Sequence, residues 1–206
     1  MTRTWRSADR EVGRIVVFTP PAVEPVSVAE LKTHSRIEFA EEDTYLARRI
    51  VGAREDVESF TRRRLITQTV DEFFDRWPWG DTIRLGASPV QSVSSVKFFD
   101  EAAVETLFAS TEYVSDLNST PPRIRLKRDL SWPTTTLREV AGVVVRYVAG
   151  YGDDPEDVPE RLREAVEYLA ATRYENRENY ATGTVVAKLP ETAEALMWPY
   201  RVLEAV

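Results

Sequence analysis

The chain has 206 residues, 43% of them hydrophobic and 30% charged, with a formal net charge of -7 at pH 7. That length and mixture describe a globular protein with one core, or one domain carrying an inserted subdomain, and exclude a disordered or fibrous polymer. The lack of cysteine excludes disulfides, thiolate metal sites and a cysteine nucleophile, and the acidic balance argues against a generic nucleic-acid binder, whose affinity comes mainly from phosphate neutralisation.

Residues 1–13 are polar and charged and are expected to form a flexible N-terminal arm. Arg3, Arg6, Arg10 and Arg14 are interrupted by Asp9 and Glu11, and no apolar region follows, so no secretory signal is expected. The longest apolar runs, Ile15–Phe18 and Val143–Val145, fall far short of the roughly 20 residues that cross a bilayer. No membrane contact is expected. Ile15–Phe18 reads as a short strand, and Pro20, Pro21 and Pro25 then hold the chain extended.

Ser27 followed by Glu30 is a capping-box pattern and predicts a short helix to about His34. A second helix opens near Ala40–Asp43. Its apolar positions, Tyr45, Leu46, Ile50, Ala53, Val57 and Phe60, form one stripe at helical spacing. Arg62, Arg63 and Arg64 close it, as the macrodipole favours.

From Leu65 the character changes. Ile66–Val70 is β-prone, and further short runs follow at Thr82–Leu85, Val93–Phe99, Glu112–Ser115, Arg123–Leu126 and Val143–Val148. Turn chemistry separates them, at Trp79-Gly80-Asp81, Ala87-Ser88-Pro89 and Ser119-Thr120-Pro121-Pro122. About six antiparallel strands are expected. Helix returns after Val158, with Pro159 suited to the first helical position and Leu162, Ala165, Val166, Leu169, Ala170 and Tyr174 on one stripe. A loop at Ala181–Thr184 precedes a last helix near Glu191–Trp198, which Pro199 ends.

Helices therefore flank a block of strands, which argues an α+β fold: a helical bundle scaffold with an inserted antiparallel β-sheet or sandwich block. The expected organisation is a flexible arm at 1–13, a first scaffold part at 14–64, the inserted β block at 65–152, and a second scaffold part with a docking tail at 153–206.

Chemistry-bearing motifs are sparse. His34 is the single histidine and reads as a surface or helix-terminal residue, since neither a zinc set nor a triad partner is visible. Asp153, Asp154, Glu156 and Asp157 lack the spacing of a calcium loop and suit a helix N-terminus instead. Glu41, Glu42 and Asp43 read the same way rather than as a glycosidase pair. Gly150-Tyr151-Gly152 is neither a P-loop nor a dinucleotide fingerprint and reads as a turn. Arg62–Arg64 could grip phosphate, although a helix-end role is the stronger reading. Trp77, Trp79 and Trp132 suit core or interface equally, while Trp198 and Tyr200 lean towards an interface because little chain follows to cover them.

An ordered set of stretches carries a resemblance. It comprises Pro20-Pro21, Glu24–Lys32, Ala53–Glu58, Thr61–Thr69 (TRRRLITQT), Val145–Gly152 (VRYVAGYG), Val158-Pro159, Tyr174–Glu178 and Pro199-Tyr200-Arg201. In this order the chain resembles the phage head–tail connector (adaptor, or head-completion) proteins, in the longer form also found in prophages and gene transfer agents. The resemblance runs from about Pro20 to Arg201. Arg62 departs from it, standing where relatives often carry a glycine suited to a left-handed helix cap.

The resemblance implies a structural subunit, not an enzyme, with no cofactor and no metal. It implies a homo-oligomeric ring at the head–tail interface of a particle assembled in the host cytoplasm, with the portal protein on one side and a tail-side connector or stopper on the other. DNA would pass through the lumen without sequence-specific binding. Trp198, Tyr200, Arg201, Val202 and Leu203 are the expected portal-docking residues. Tyr174, Glu175, Asn176 and Arg177 are expected at the subunit interface, with helix C-terminal packing and capping an equal alternative. The rival functions are a small hydrolase with an acidic cleft and a DNA-binding module using the arginine clusters.

Overall fold

The computed structural model of the chain describes residues 13–176 and 191–203. The expected arm, apart from Gly13, the Ala181–Thr184 loop and Arg177 lie outside the described residues. The fold is mixed α+β, with several helices and two antiparallel sheets. The chain divides into two compact units: Met1–Pro20 with Gln68–Ala149, and Pro21–Thr67 with Gly150–Val206.

The second unit is helical. Helix α1 spans Val28–Ser35, α2 Asp43–Thr61, α3 Glu160–Glu175 and α4 Glu191–Met197. The predicted capping box at the start of α1 is formed on both sides. The Ser27 hydroxyl accepts the Glu30 N–H at 3.1 Å, and the Ser27 N–H donates to the Glu30 carboxylate at 2.7 Å. Both groups are otherwise orphan donors of a first helical turn. The ends of α1 and α2 are set by Arg36 and Arg62, both in the left-handed region at φ 54° and 57°. The backbone at Arg62 thus takes the conformation for which glycine is the favoured residue.

The predicted stripe of α2 forms the centre of this unit. Leu46, Ile50, Ala53 and Val57 are fully buried against Leu162, Ala165, Val166, Leu169 and Ala170 of α3, with Ala193 and Met197 of α4 in the same cluster. Each large aliphatic side chain so buried contributes about 1.5–3 kcal/mol relative to exposure. Pro159 sits one position earlier than predicted, capping α3 rather than opening it. Before it, Asp154 caps a short 3₁₀ turn at Pro155–Asp157.

Leu65 to Thr67 and Gly150 to Gly152 run side by side, with the Thr67 N–H on the Gly152 carbonyl at 2.9 Å and the Tyr151 N–H on that of Leu65 at 3.1 Å. Gly150 has φ 143°, and a Cβ there would lie 2.5 Å from the Thr67 nitrogen. The expected turn is therefore a close backbone approach that only glycine permits.

The first unit holds eight strands among its described residues. They are β1 Arg14–Thr19, β2 Gln68–Phe74, β3 Thr82–Arg84, β4 Val90–Phe99, β5 Glu105–Phe108, β6 Tyr113–Asp116, β7 Arg123–Leu126 and β8 Val143–Ala149. One sheet has the order β1-β2-β8-β4-β5 and the other β3-β7-β6, all pairs antiparallel. β1, grouped with the helical segment in the sequence analysis, pairs with β2 and belongs here. Alternate residues of β2, β8 and β4 (Val70 and Phe74, Val143, Val145 and Tyr147, Val96 and Phe98) share one core with Ile83, Ile124 and Leu126 of the smaller sheet. This is the period-two burial of a half-covered sheet.

β5 was not expected. It follows a turn in which the Asp100 carboxylate accepts the N–H groups of Ala102 and Val104, both at 2.9 Å, and Ala103 takes φ 60°. Inside this unit the Glu72 carboxylate is buried. It accepts from the Tyr147 hydroxyl at 2.8 Å and the Gly86 N–H at 2.9 Å, and the Ala87 N–H donates to the Tyr147 hydroxyl at 3.1 Å.

Candidate interaction surface

The C-terminal end of α2 organises the segment singled out for docking. After α4 the chain makes a 3₁₀ turn at Trp198–Tyr200 and then runs extended. The Val202 N–H donates to the Thr61 carbonyl at 3.0 Å, and the Arg63 Nε–H donates to the Tyr200 carbonyl. Thr61 ends a helix, so its carbonyl has no partner within α2 and accepts one from outside. Tyr200 packs on the helical core and Val202 is buried.

The remaining side chains face outward. Trp198 is 53% exposed and Leu203 65%. The Trp198 and Phe60 rings lie 6.2 Å apart, and the Arg201 guanidinium sits over both, 5.1 Å from Phe60 and 5.4 Å from Trp198. Such a cation–π stack fixes an otherwise mobile arginine beside an aromatic surface. Of the five expected docking residues, then, Val202 and Tyr200 anchor the segment while Trp198, Arg201 and Leu203 present a surface. Nearby, burial pushes the Tyr151 hydroxyl above its usual range, with Arg63 opposing it.

One turn inside, Glu58 ties this end of α2 together. Its side chain is buried, accepting from Arg54 at 3.1 Å, Arg64 at 3.0 Å and the Leu65 N–H at 3.0 Å. Arg54 also donates to Glu24 at 2.8 Å. Burial raises the Glu24 carboxyl despite the opposing pull of Arg54. The three arginines after α2 therefore have distinct roles: Arg62 takes the left-handed cap, Arg63 holds Tyr200, and Arg64 neutralises Glu58. Sequence reasoning missed Glu58 because a carboxylate on a helix gives no sign of the partners that will bury it.

At the end of α3, the Tyr174 hydroxyl donates to Glu42 at 2.6 Å and its ring lies 6.2 Å from Tyr45. Asn176 closes the helix, its side-chain amide and its backbone N–H both donating to the Thr172 carbonyl at 3.0 Å. Glu175 is exposed. His34 lies 3.6 Å from Glu167, an acid raised by burial with His34 opposing. Asp43 pairs with Lys32 at 2.8 Å, and Asp157 reaches back to the Asp154 N–H at 3.2 Å. Among the described residues no group of three or more His, Cys, Asp or Glu side chains could hold a metal ion, and no helix is long and apolar enough to cross a membrane.

The tryptophans of the strand unit divide by role. Trp77 stacks on Trp132 with ring centroids 4.6 Å apart and planes 8° from parallel, beside Phe98 and Phe108. Trp79 is 82% exposed.

The chain matches the family described as phage gp6-like head-tail connector protein over residues 25–98 and 126–201, more than half of its length. Three solved structures are similar to it, each at 26% sequence identity. The neck of an empty gene transfer agent particle computed with C6 symmetry aligns with a TM-score of 0.79, covering 94% of this chain and 97% of that one. The virion of a native gene transfer agent particle aligns at 0.78, with 93% and 97% covered. The neck of a native particle computed with C12 symmetry aligns at 0.73, again with 93% and 97% covered. No curated protein matches the sequence.

Proposed function

The chain belongs to the phage gp6-like head–tail connector family, and from that premise we propose that it is a structural connector subunit in the neck of a phage or gene-transfer-agent particle. The carrying observation is the alignment over 97% of a neck chain, at a TM-score of 0.79 and across both compact units. The family is a structural one, so the work of the chain is holding components together rather than turnover. Its place is the head–tail interface of the particle, in contact with portal-side and tail-side components.

In finer detail, copies of the chain form a ring. The helical unit acts as a bundle scaffold, and strands β2 to β8 are an insertion in its sequence, joined by β1 from the N-terminal side. Supporting this, both stretches of the helical unit flank the strand residues 68–149 in sequence and close on one core. A ring built by repetition of one heterologous contact suits the cyclic symmetries used for the similar necks. DNA passes through the lumen without sequence-specific binding, and a net charge of -7 suits a channel that must not retain it. Assembly takes place in the host cytoplasm.

The portal protein docks on the surface of Trp198, Arg201 and Leu203, which Tyr200 and Val202 hold in place. Aromatic and arginine side chains with a rigid underlay are what concentrated binding surfaces use. Tyr174, Glu175, Asn176 and Arg177 lie towards the neighbouring subunit, Glu175 and Asn176 being the exposed members among those described. The test is negative-stain imaging of the purified chain alone and with its portal. Rings seated on the portal are expected. Chains that stay single in both samples would refute the ring, and undiminished portal binding after removal of residues 198–206 would refute the docking assignment.

A further inference from the structure

The surface formed by the C-terminal segment carries a charge that the chain itself does not neutralise. Arg201 is exposed, and its guanidinium lies 5.1 Å from the centre of the Phe60 ring and 5.4 Å from that of Trp198. Those contacts use the charge of the cation and leave its N–H donors without acceptors. Among the described residues the Arg201 side chain forms no ion pair and no hydrogen bond. Next to it, Arg63 donates to the Tyr200 carbonyl and lies 5.9 Å from the Tyr151 ring, so its charge too meets only neutral groups. By contrast Arg54, Arg64, Arg163 and Arg173, which tie the helical unit together, each hold a carboxylate. Acids are not scarce in a chain of net charge -7; Arg201 is placed away from them.

Docking decides what must meet this group. Trp198 and Leu203 stand on either side of Arg201 along the segment, both exposed, so a partner that covers them also takes Arg201 out of water. A guanidinium keeps its proton in a protein, and a buried charge without a counter-charge is strongly unfavourable. A neutral apolar partner would therefore bind poorly. A carboxylate in the same place would accept two charge-assisted hydrogen bonds from a planar donor that the two rings already hold in position.

We propose, on the footing of the portal docking described under Proposed function, that the portal segment seated here carries an aspartate or glutamate that pairs with Arg201, flanked by apolar side chains that cover Trp198 and Leu203. A DNA phosphate would satisfy the same guanidinium. A duplex backbone would leave the exposed indole and Leu203 uncovered, however, and the net charge of the chain repels it at longer range.

The test measures binding of the full chain to purified portal by biolayer interferometry at low and at high salt. Arg201→Gln removes the charge, Arg201→Lys keeps the charge without the planar fork, and Arg201→Glu reverses it. The side chain is exposed, so the fold is retained, and thermal melting verifies it. Arg201→Gln is expected to weaken binding about tenfold or more, Arg201→Glu about a hundredfold or more, and Arg201→Lys by less than either. High salt should weaken the wild type more than Arg201→Gln. Among portal variants that change each exposed aspartate or glutamate in turn to arginine, one should restore binding to Arg201→Glu. If Trp198→Ala weakens binding while all three Arg201 variants bind like wild type, the carboxylate is refuted and the docking stands. If Arg201→Glu binds weakly and no portal reversal restores it, the carboxylate is refuted as well, and a parallel loss of duplex-DNA binding in Arg201→Gln gives the guanidinium to phosphate. If neither Trp198→Ala nor any Arg201 variant alters portal binding, or the wild type does not bind portal, the docking itself fails.

Discussion

The backbone N–H of Val202 donates to the carbonyl of Thr61 at 3.0 Å, so the C-terminal segment is bound to the last turn of α2 before any partner arrives. Anchoring and presentation are thereby separated between neighbouring side chains. Val202→Asp, which buries an unpaired charge, is expected to destabilise the helical unit by about 3 kcal/mol or more in urea denaturation. Trp198→Ala removes a half-exposed ring and should cost under about 1 kcal/mol in the same assay, yet weaken portal binding about tenfold or more. Equal losses of stability in the two variants would contradict the division.

Glu58 is a buried acceptor for two arginines and a backbone N–H. Glu58→Ala leaves Arg54 without one of its two acceptors and the Leu65 N–H without its own. A loss of about 3–5 kcal/mol is expected, measured by thermal or urea unfolding. A change below about 1 kcal/mol would show that solvent replaces the carboxylate.

Arg62 holds φ 57° at the C-cap of α2. A left-handed conformation costs a residue with a Cβ about 1–2 kcal/mol, and glycine avoids that cost while gaining freedom in the unfolded chain. Arg62→Gly is therefore expected to raise stability by about 0.5–1 kcal/mol. A lower melting temperature would mean that the arginine side chain contributes more than its backbone costs.

The capping box gives a pH dependence. The Ser27 backbone N–H, then its hydroxyl, hold the Glu30 carboxyl below its ordinary value of 4.5. A depressed acid contributes stability that is complete above the unfolded value and disappears as pH falls through the folded one. Ser27→Ala should cost about 1 kcal/mol at pH 7, and its gap from wild type should narrow as the pH drops below 4.5. Melting curves from pH 7 to pH 3 measure this, and a gap that stays constant would place the cost in the hydroxyl alone.

The helices were legible because their signals are local. Ser27 with Glu30, and the three- and four-residue steps from Leu46 to Val57, lie within a few turns of one another. Strand β5 was not legible, because the turn before it uses the Asp100 side chain and Ala103 at positive φ instead of a glycine signal. β4 begins earlier than its alternation suggests, since register shifts at Val90/Ser92 and Val93/Ser95 interrupt the two-residue period. The aromatic content of the tail could be read from sequence. Its anchoring could not, because the donor on Val202 and the acceptor on Thr61 are brought together only by the fold.

The helical unit is assembled from two stretches, Pro21–Thr67 and Gly150–Val206, with strands β2 to β8 made between them. On the ribosome, α1 and α2 therefore emerge long before α3. At roughly 5–20 residues per second, the intervening segment takes about 4–16 seconds to synthesise. Throughout that interval Leu46, Ile50, Ala53 and Val57 have no permanent cover, and when β8 emerges the strand core has all its strands while theirs still lacks α3 and α4. Translation thus delivers the inserted block first and the completed scaffold last, and a nascent chain cut short before α3 would strand a greasy helix in the open.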